Sequence, residues 1–144
     1  MKQILQISFV SFLFIFFNLS KSFGNQDIYD ECLKLADIGN YIEKLKFDGV
    51  KLENIETEKS RDICLNARKH YPNDPKILRS LGRIYINDQN PKVAFNYFKE
   101  ASNFGDGLSQ WRIAEAFRHG WGVEKNETKA FQYLMKSKDK GFPY

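Results

Sequence analysis

Residues that carry chemistry are scarce in this sequence. Histidine occurs twice, as His70 and His119, and cysteine twice, as Cys32 and Cys64. No CxxC pair is present, and these four residues lack the close ligand spacing of a zinc site. No metal site is expected. A glycine-rich phosphate loop is also missing, because Gly120 and Gly122 follow a helical stretch rather than a strand. Asp106 and Glu115 have no paired acidic motif around them. His119 falls at a predicted helix C-terminus, where a cation complements the helix dipole without catalytic duty. The reading is therefore non-enzymatic, with no cofactor. An excess of one charge is lacking too: 22 Lys and Arg stand against 18 Asp and Glu. They are scattered, with no basic run of the kind that binds nucleic acid. No segment shows sustained strand alternation, so the class is all-α.

The one long apolar run lies at the N-terminus. Ile7 to Phe17 is interrupted only by Ser8 and Ser11, after the basic Lys2. Ser22 and Gly24 then occupy the small-residue positions of a cleavage site. This pattern predicts a secretory signal peptide over 1–24, a mature chain from Asn25 to Tyr144, and a periplasmic or secreted location. The competing reading is an uncleaved membrane anchor. The run is short for one, since a spanning helix needs about 20 apolar residues.

In an exported chain an even cysteine count predicts a disulfide. Cys32 and Cys64 are 32 positions apart, too far for one helix, so they must lie on elements that pack together. Closing such a loop stabilises by about 3–4 kcal/mol in the chain-entropy model. Two buried free thiols are the alternative.

Helical periodicity runs through most of the remaining chain. Ile28, Cys32, Leu35 and Ala36 mark a helix over 25–40, with Asp27 as N-cap and Gly39-Asn40 as stop. The stretch 41–55 is irregular and reads as a loop. Ile63, Cys64, Ala67 and Tyr71 mark a helix over 57–71, with Thr57 as cap. Asp74-Pro75 and Asn90-Pro91 are cap-then-proline signals. They open helices carrying Ile77, Leu78, Leu81 and Tyr85, and then Ala94, Tyr97, Phe98 and Ala101. Trp111, Ile113, Ala114 and Phe117 mark a fifth helix. Asn126 caps a sixth, with Ala130, Phe131, Leu134 and Met135 expected inside.

Two of these stretches repeat. Ala94, Tyr97, Phe98 and Gly105 recur 36 residues later as Ala130, Tyr133, Leu134 and Gly141. Leu81, Gly82 and Tyr85 recur 32 residues later as Ile113, Ala114 and Phe117. A repeat of this length is one helix-turn-helix unit that must stack on a neighbour to bury its apolar face. Gly82 and Ala114 let the helices of a pair approach closely, and Gly120 and Gly122 supply the positive φ of a tight turn.

Leu81-Gly82, Tyr85, Ala94, Phe98 and Ala101 resemble the signature of a tetratricopeptide repeat. The next unit departs by an insertion at Gly120-Trp121-Gly122-Val123. With Lys129-Ala130, Phe131, Tyr133, Leu134 and Gly141, that loop is similar to the inter-helix loop of a Sel1-like repeat. The resemblance covers about half of the mature chain. It implies a short α-solenoid of antiparallel helix pairs, with repeats over 75–106 and 107–141. The segment 25–74, which looks like the leader region of secreted bacterial Sel1-repeat proteins, would cap the stack. Two units are short of the number usually needed for stability, which gives that cap its purpose.

The resemblance also implies a function. Such arrays bind proteins on the concave face lined by the first helix of each pair. Transferred by position, this face exposes Lys76, Arg79, Arg83 and Asn87, then Trp111, Glu115, Arg118 and His119. That basic set suits an acidic or carboxylate-bearing protein or peptide. An ordinary solvated helix face is the competing reading. The end Phe142-Pro143-Tyr144, with no capping helix after it, is a second expectation: an apolar flank for weak self-association or docking, unless Phe142 and Tyr144 fold back over it. Beyond the interaction module stand a structural or assembly subunit of a periplasmic complex and a small helical cell-wall-acting enzyme.

Overall fold

The computed structural model describes residues 24–37 and 51–142. Residues 1–23 of the predicted signal peptide, the helix stop at Gly39-Asn40, the loop residues 41–50 and Pro143-Tyr144 lie outside the described residues. All regular structure among the described residues is helical: α1 through 24–36, a 3₁₀ turn Leu52–Asn54, α2 Thr57–His70, α3 Pro75–Asn87, α4 Pro91–Asn103, α5 Gly107–His119 and α6 Glu127–Lys138. From α2 onward each helix packs on the next.

Short polar caps set the boundaries. Asp74 accepts from the backbone N–H groups of Lys76 and Ile77, with Pro75 opening α3. Asn90, Asp106 and Asn126 each accept from the N–H three residues on. Each satisfies a donor that the first helical turn leaves unpaired. Two expected caps differ. Asp27 sits inside α1, and Thr57 is the first residue of α2, its hydroxyl donating to the Ile55 carbonyl at 3.5 Å.

The core forms two adjoining clusters. One gathers Cys32, Ala36, Ile55, Cys64, Ala67, Ile77, Leu81 and Ile84, the other Ala94, Phe98, Ile113, Phe117 and Ala130. The Cys32–Cys64 disulfide ties α1 to α2, with Cα atoms 4.9 Å apart. Both cysteines are fully buried.

The internal repeat has a physical counterpart. In α3–α4, Tyr85 stacks on Tyr97 with centroids 5.4 Å apart. In α5–α6 the equivalent Phe117 stacks on Tyr133 at 6.0 Å. Gly82 faces the Phe98 ring so closely that a Cβ there would lie 2.7 Å from it. Alanine at 82 would force the ring to move, which explains the small residue. The two pairs differ in their connections. Residues 88–90 join α3 to α4, and 120–126 join α5 to α6. The longer link exits α5 through Gly120 at φ 78°.

Candidate functional site

The α5–α6 loop contributes to a concavity among the described residues. Gly122, at φ 71°, lies against the start of α4, where an added Cβ would meet the Pro91 carbonyl oxygen at 2.3 Å. Only glycine tolerates both that backbone angle and that approach. Val123 then packs into the second core cluster. Trp121, immediately before these two anchors, remains 52% exposed.

Trp121 is the lip of a cleft of about 280 Å³. Ile86, Pro91, Phe95, Phe98 and Ala116 supply much of its apolar lining, with Leu52 at one side and Arg112 as the cation. Lys125 folds against Gly120 and Lys92 flanks Gly122, and both are exposed. The Trp121 ring stacks on His119 at 4.7 Å. His119 Nε2 lies 3.5 Å from Glu115, which also pairs with Arg118 at 3.2 Å. One carboxylate thus orients both basic side chains at the end of α5. The cleft can hold an apolar side chain, with the Arg112 cation in its lining to meet an adjoining carboxylate.

The set of basic residues expected on one open face divides in three. Lys76 is exposed at the start of α3. Trp111 is half-buried beneath the Arg112 guanidinium, 4.7 Å from its ring centroid, while Arg118 and His119 are exposed. Arg79, Arg83 and Asn87 correct the expectation, because the chain's own N-terminal part lies over that side of α3. Arg79 is 7% exposed and Arg83 only 3%. Arg79 donates to Asp37 through Nη2 at 2.7 Å and through Nε at 3.1 Å, and pairs with Asp106. Arg83 donates to the Ala36 carbonyl. Asn87 donates to the Ile55 carbonyl at 3.1 Å and to Thr57 Oγ1 at 3.0 Å.

The two buried arginines answer differently to their surroundings. Burial disfavours the charge on Arg79, but the carboxylates of Asp37 and Asp106 outweigh it and hold its pKa above the usual value. Burial, with repulsion from Arg112 and Arg79, pulls Arg83 down to about 10 against the attraction of Asp37. These groups fasten α1 and the α5 N-cap to α3.

Two further expectations are corrected at α6. Periodicity alone puts Phe131 and Met135 inside, yet they are 62% and 36% exposed. Phe142 does fold back: its ring would lie 2.7 Å from a Cβ at Gly107. Among the described residues no group of His, Cys, Asp or Glu could hold a metal ion, and no helix is long and apolar enough to cross a membrane. Comparison of the chain with protein-family models, curated proteins and solved structures returned no match.

Proposed function

We propose that this chain is a Sel1-like, tetratricopeptide-like solenoid. It acts as a non-enzymatic protein-interaction module of the periplasm or secreted fraction, exported by the signal peptide over 1–24. The matching ring pairs Tyr85–Tyr97 and Phe117–Tyr133 support a stack of similar units. The buried Cys32–Cys64 disulfide supports an oxidising compartment.

The observation that carries the binding reading is the cleft under Trp121. Its walls are apolar, and Arg112 lines it, with the exposed Lys92 and Lys125 adjoining the Gly120–Gly122 loop. The matching ligand is an extended protein segment with one large apolar side chain beside an acidic residue. The apolar group fills the cleft and excludes water, while the carboxylate meets the cations. Mechanistically the module supplies a preorganised surface and no bond chemistry. Of the basic set read from the sequence, Trp111, Arg118, His119 and Lys76 stay available to a partner. Arg79, Arg83 and Asn87 serve the fold.

Selection of displayed random peptides on the folded, oxidised protein tests this reading. The expected winners share a large apolar residue next to Asp or Glu, and Trp121→Ala weakens them about tenfold. Winners without that pattern, or winners held equally by Trp121→Ala, would sink the proposal. Ala116→Leu, which fills the cleft from its floor, is a second variant should Trp121→Ala disturb the loop.

A further inference from the structure

Trp121 supplies a lip to the cleft only while its ring is held in place. The loop fixes its backbone. The Trp121 N–H donates to the Ala116 carbonyl at 3.0 Å, and the Gly120 N–H donates to the same oxygen at 2.8 Å. Ala116 is itself part of the cleft lining. These bonds set the position of the Trp121 backbone but leave its side-chain torsions open. An exposed indole that turned among its rotamers would have to be immobilised by every ligand it met.

The ring is steadied through its face. It stacks on the His119 imidazole, with centroids 4.7 Å apart and planes 26° from parallel. The His119 side chain is 44% exposed and sits on the last turn of α5, so it needs a hold of its own. Glu115 lies one turn earlier on the same face. Its Oε2 is 3.5 Å from His119 Nε2, and its Oε1 is 3.2 Å from Arg118. The Glu115 side chain is only 16% exposed. Among the described residues the cleft lining includes neither Glu115 nor His119. The preceding unit has Arg83 and Asn87 at these two positions, where they bond the chain's own Ala36 and Ile55 carbonyls. Its link of residues 88–90 carries no tryptophan. The Glu–His pair thus accompanies the long loop with Trp121.

We infer that Glu115 is a positioning residue of the cleft: acting through His119, it holds the Trp121 ring at the mouth before a ligand arrives. The inference rests on the cleft reading proposed above. Gly120, at φ 78°, turns the chain out of α5 so that Trp121 follows directly on this pair. A ligand then meets a formed lip, and less side-chain freedom is lost on binding.

A double-mutant cycle on the folded, oxidised protein tests the inference. It is run in a Trp111→Phe background, where Trp121 is the sole indole. Acrylamide quenching of Trp121 is read without ligand, and affinity is read with a peptide obtained by selection. Glu115→Ala and His119→Ala are each expected to raise the quenching, and each to weaken the peptide about threefold. Because one acts through the other, the double variant should lose no more than His119→Ala alone. Losses that multiply to about ninefold would overturn the inference, since Glu115 would then act without His119. Trp121 quenching in Glu115→Ala equal to that of the parent would overturn it as well. A peptide held equally by Trp121→Ala marks a failure of the cleft reading instead, and the ligand-free quenching still decides whether Glu115 sets the ring.

Discussion

Replacing Arg79 with methionine should unfold a large part of this molecule's stability margin. The Asp37 and Asp106 side chains that face the guanidinium are 9% and 10% exposed. Asp106 also caps α5 by accepting from Ser109 N–H at 2.9 Å. Methionine fills much of the volume but leaves two carboxylates with little water. Removing one partner from a buried ion pair costs about 3–5 kcal/mol, because the remaining charge is stranded. A small domain has about 5–15 kcal/mol in total. The loss should be recoverable: Asp37→Asn and Asp106→Asn remove the stranded charges, and asparagine still caps a helix. The triple variant should regain most of the stability. Urea unfolding of the oxidised protein, followed by helical circular dichroism, measures both. A loss below about 1 kcal/mol for Arg79→Met would place the arginine in the surface class. That result, or a triple variant no more stable than the single, would refute the account of α1 and α5 fastened to α3.

Three other perturbations have defined outcomes. Gly122→Ala meets the Pro91 carbonyl and a φ of 71° together. It should cost about 1–3 kcal/mol and shift Trp121 emission, whereas unchanged emission and stability would remove the reason for glycine there. Cys32→Ser/Cys64→Ser releases a crosslink spanning 32 positions. It should cost about 3–4 kcal/mol in the chain-entropy model, and a midpoint within error of the parent would count against a stabilising bridge. Tyr29 is held up to about 12 by burial and by Asp74, with Asp37 and Asp30 adding to it. Its contribution is complete below the ordinary tyrosine value of 10.0 and is lost as pH rises towards 12, because only the unfolded chain ionises in between. Tyrosinate absorbance of the parent minus that of Tyr29→Phe should titrate near 12, and a step at 10 would contradict the buried setting.

Local signals in the sequence carry most of the helix pattern. Asp74-Pro75, Asn90-Pro91 and Asn126 mark helix starts because a capping side chain and a fixed φ act within one turn. The Cys32–Cys64 pairing was legible because two cysteines allow one possible bridge. Long-range cover was not legible. The periodicity of α3 shows Arg79 and Arg83 off its apolar stripe, but not that Asp37, 42 residues earlier than Arg79, lies across them. An acidic residue ending an earlier helix was the only trace. At α6 the periodicity puts the apolar Phe131 and Met135 inside, whereas both are exposed. Which apolar face is covered depends on the neighbour, not on the helix itself. The cleft was half visible: the Gly120–Val123 loop stood out, while its seat on Pro91 did not.

The proposed binding role rests on Trp121, and one optical measurement reaches it directly. The chain has two tryptophans, so Trp111→Phe leaves Trp121 as the sole indole. Titration of that variant with a peptide obtained by selection should shift its emission to shorter wavelength and saturate, as the exposed ring becomes covered. A peptide that binds by anisotropy while Trp121 emission stays unchanged would contradict the cleft as the docking site.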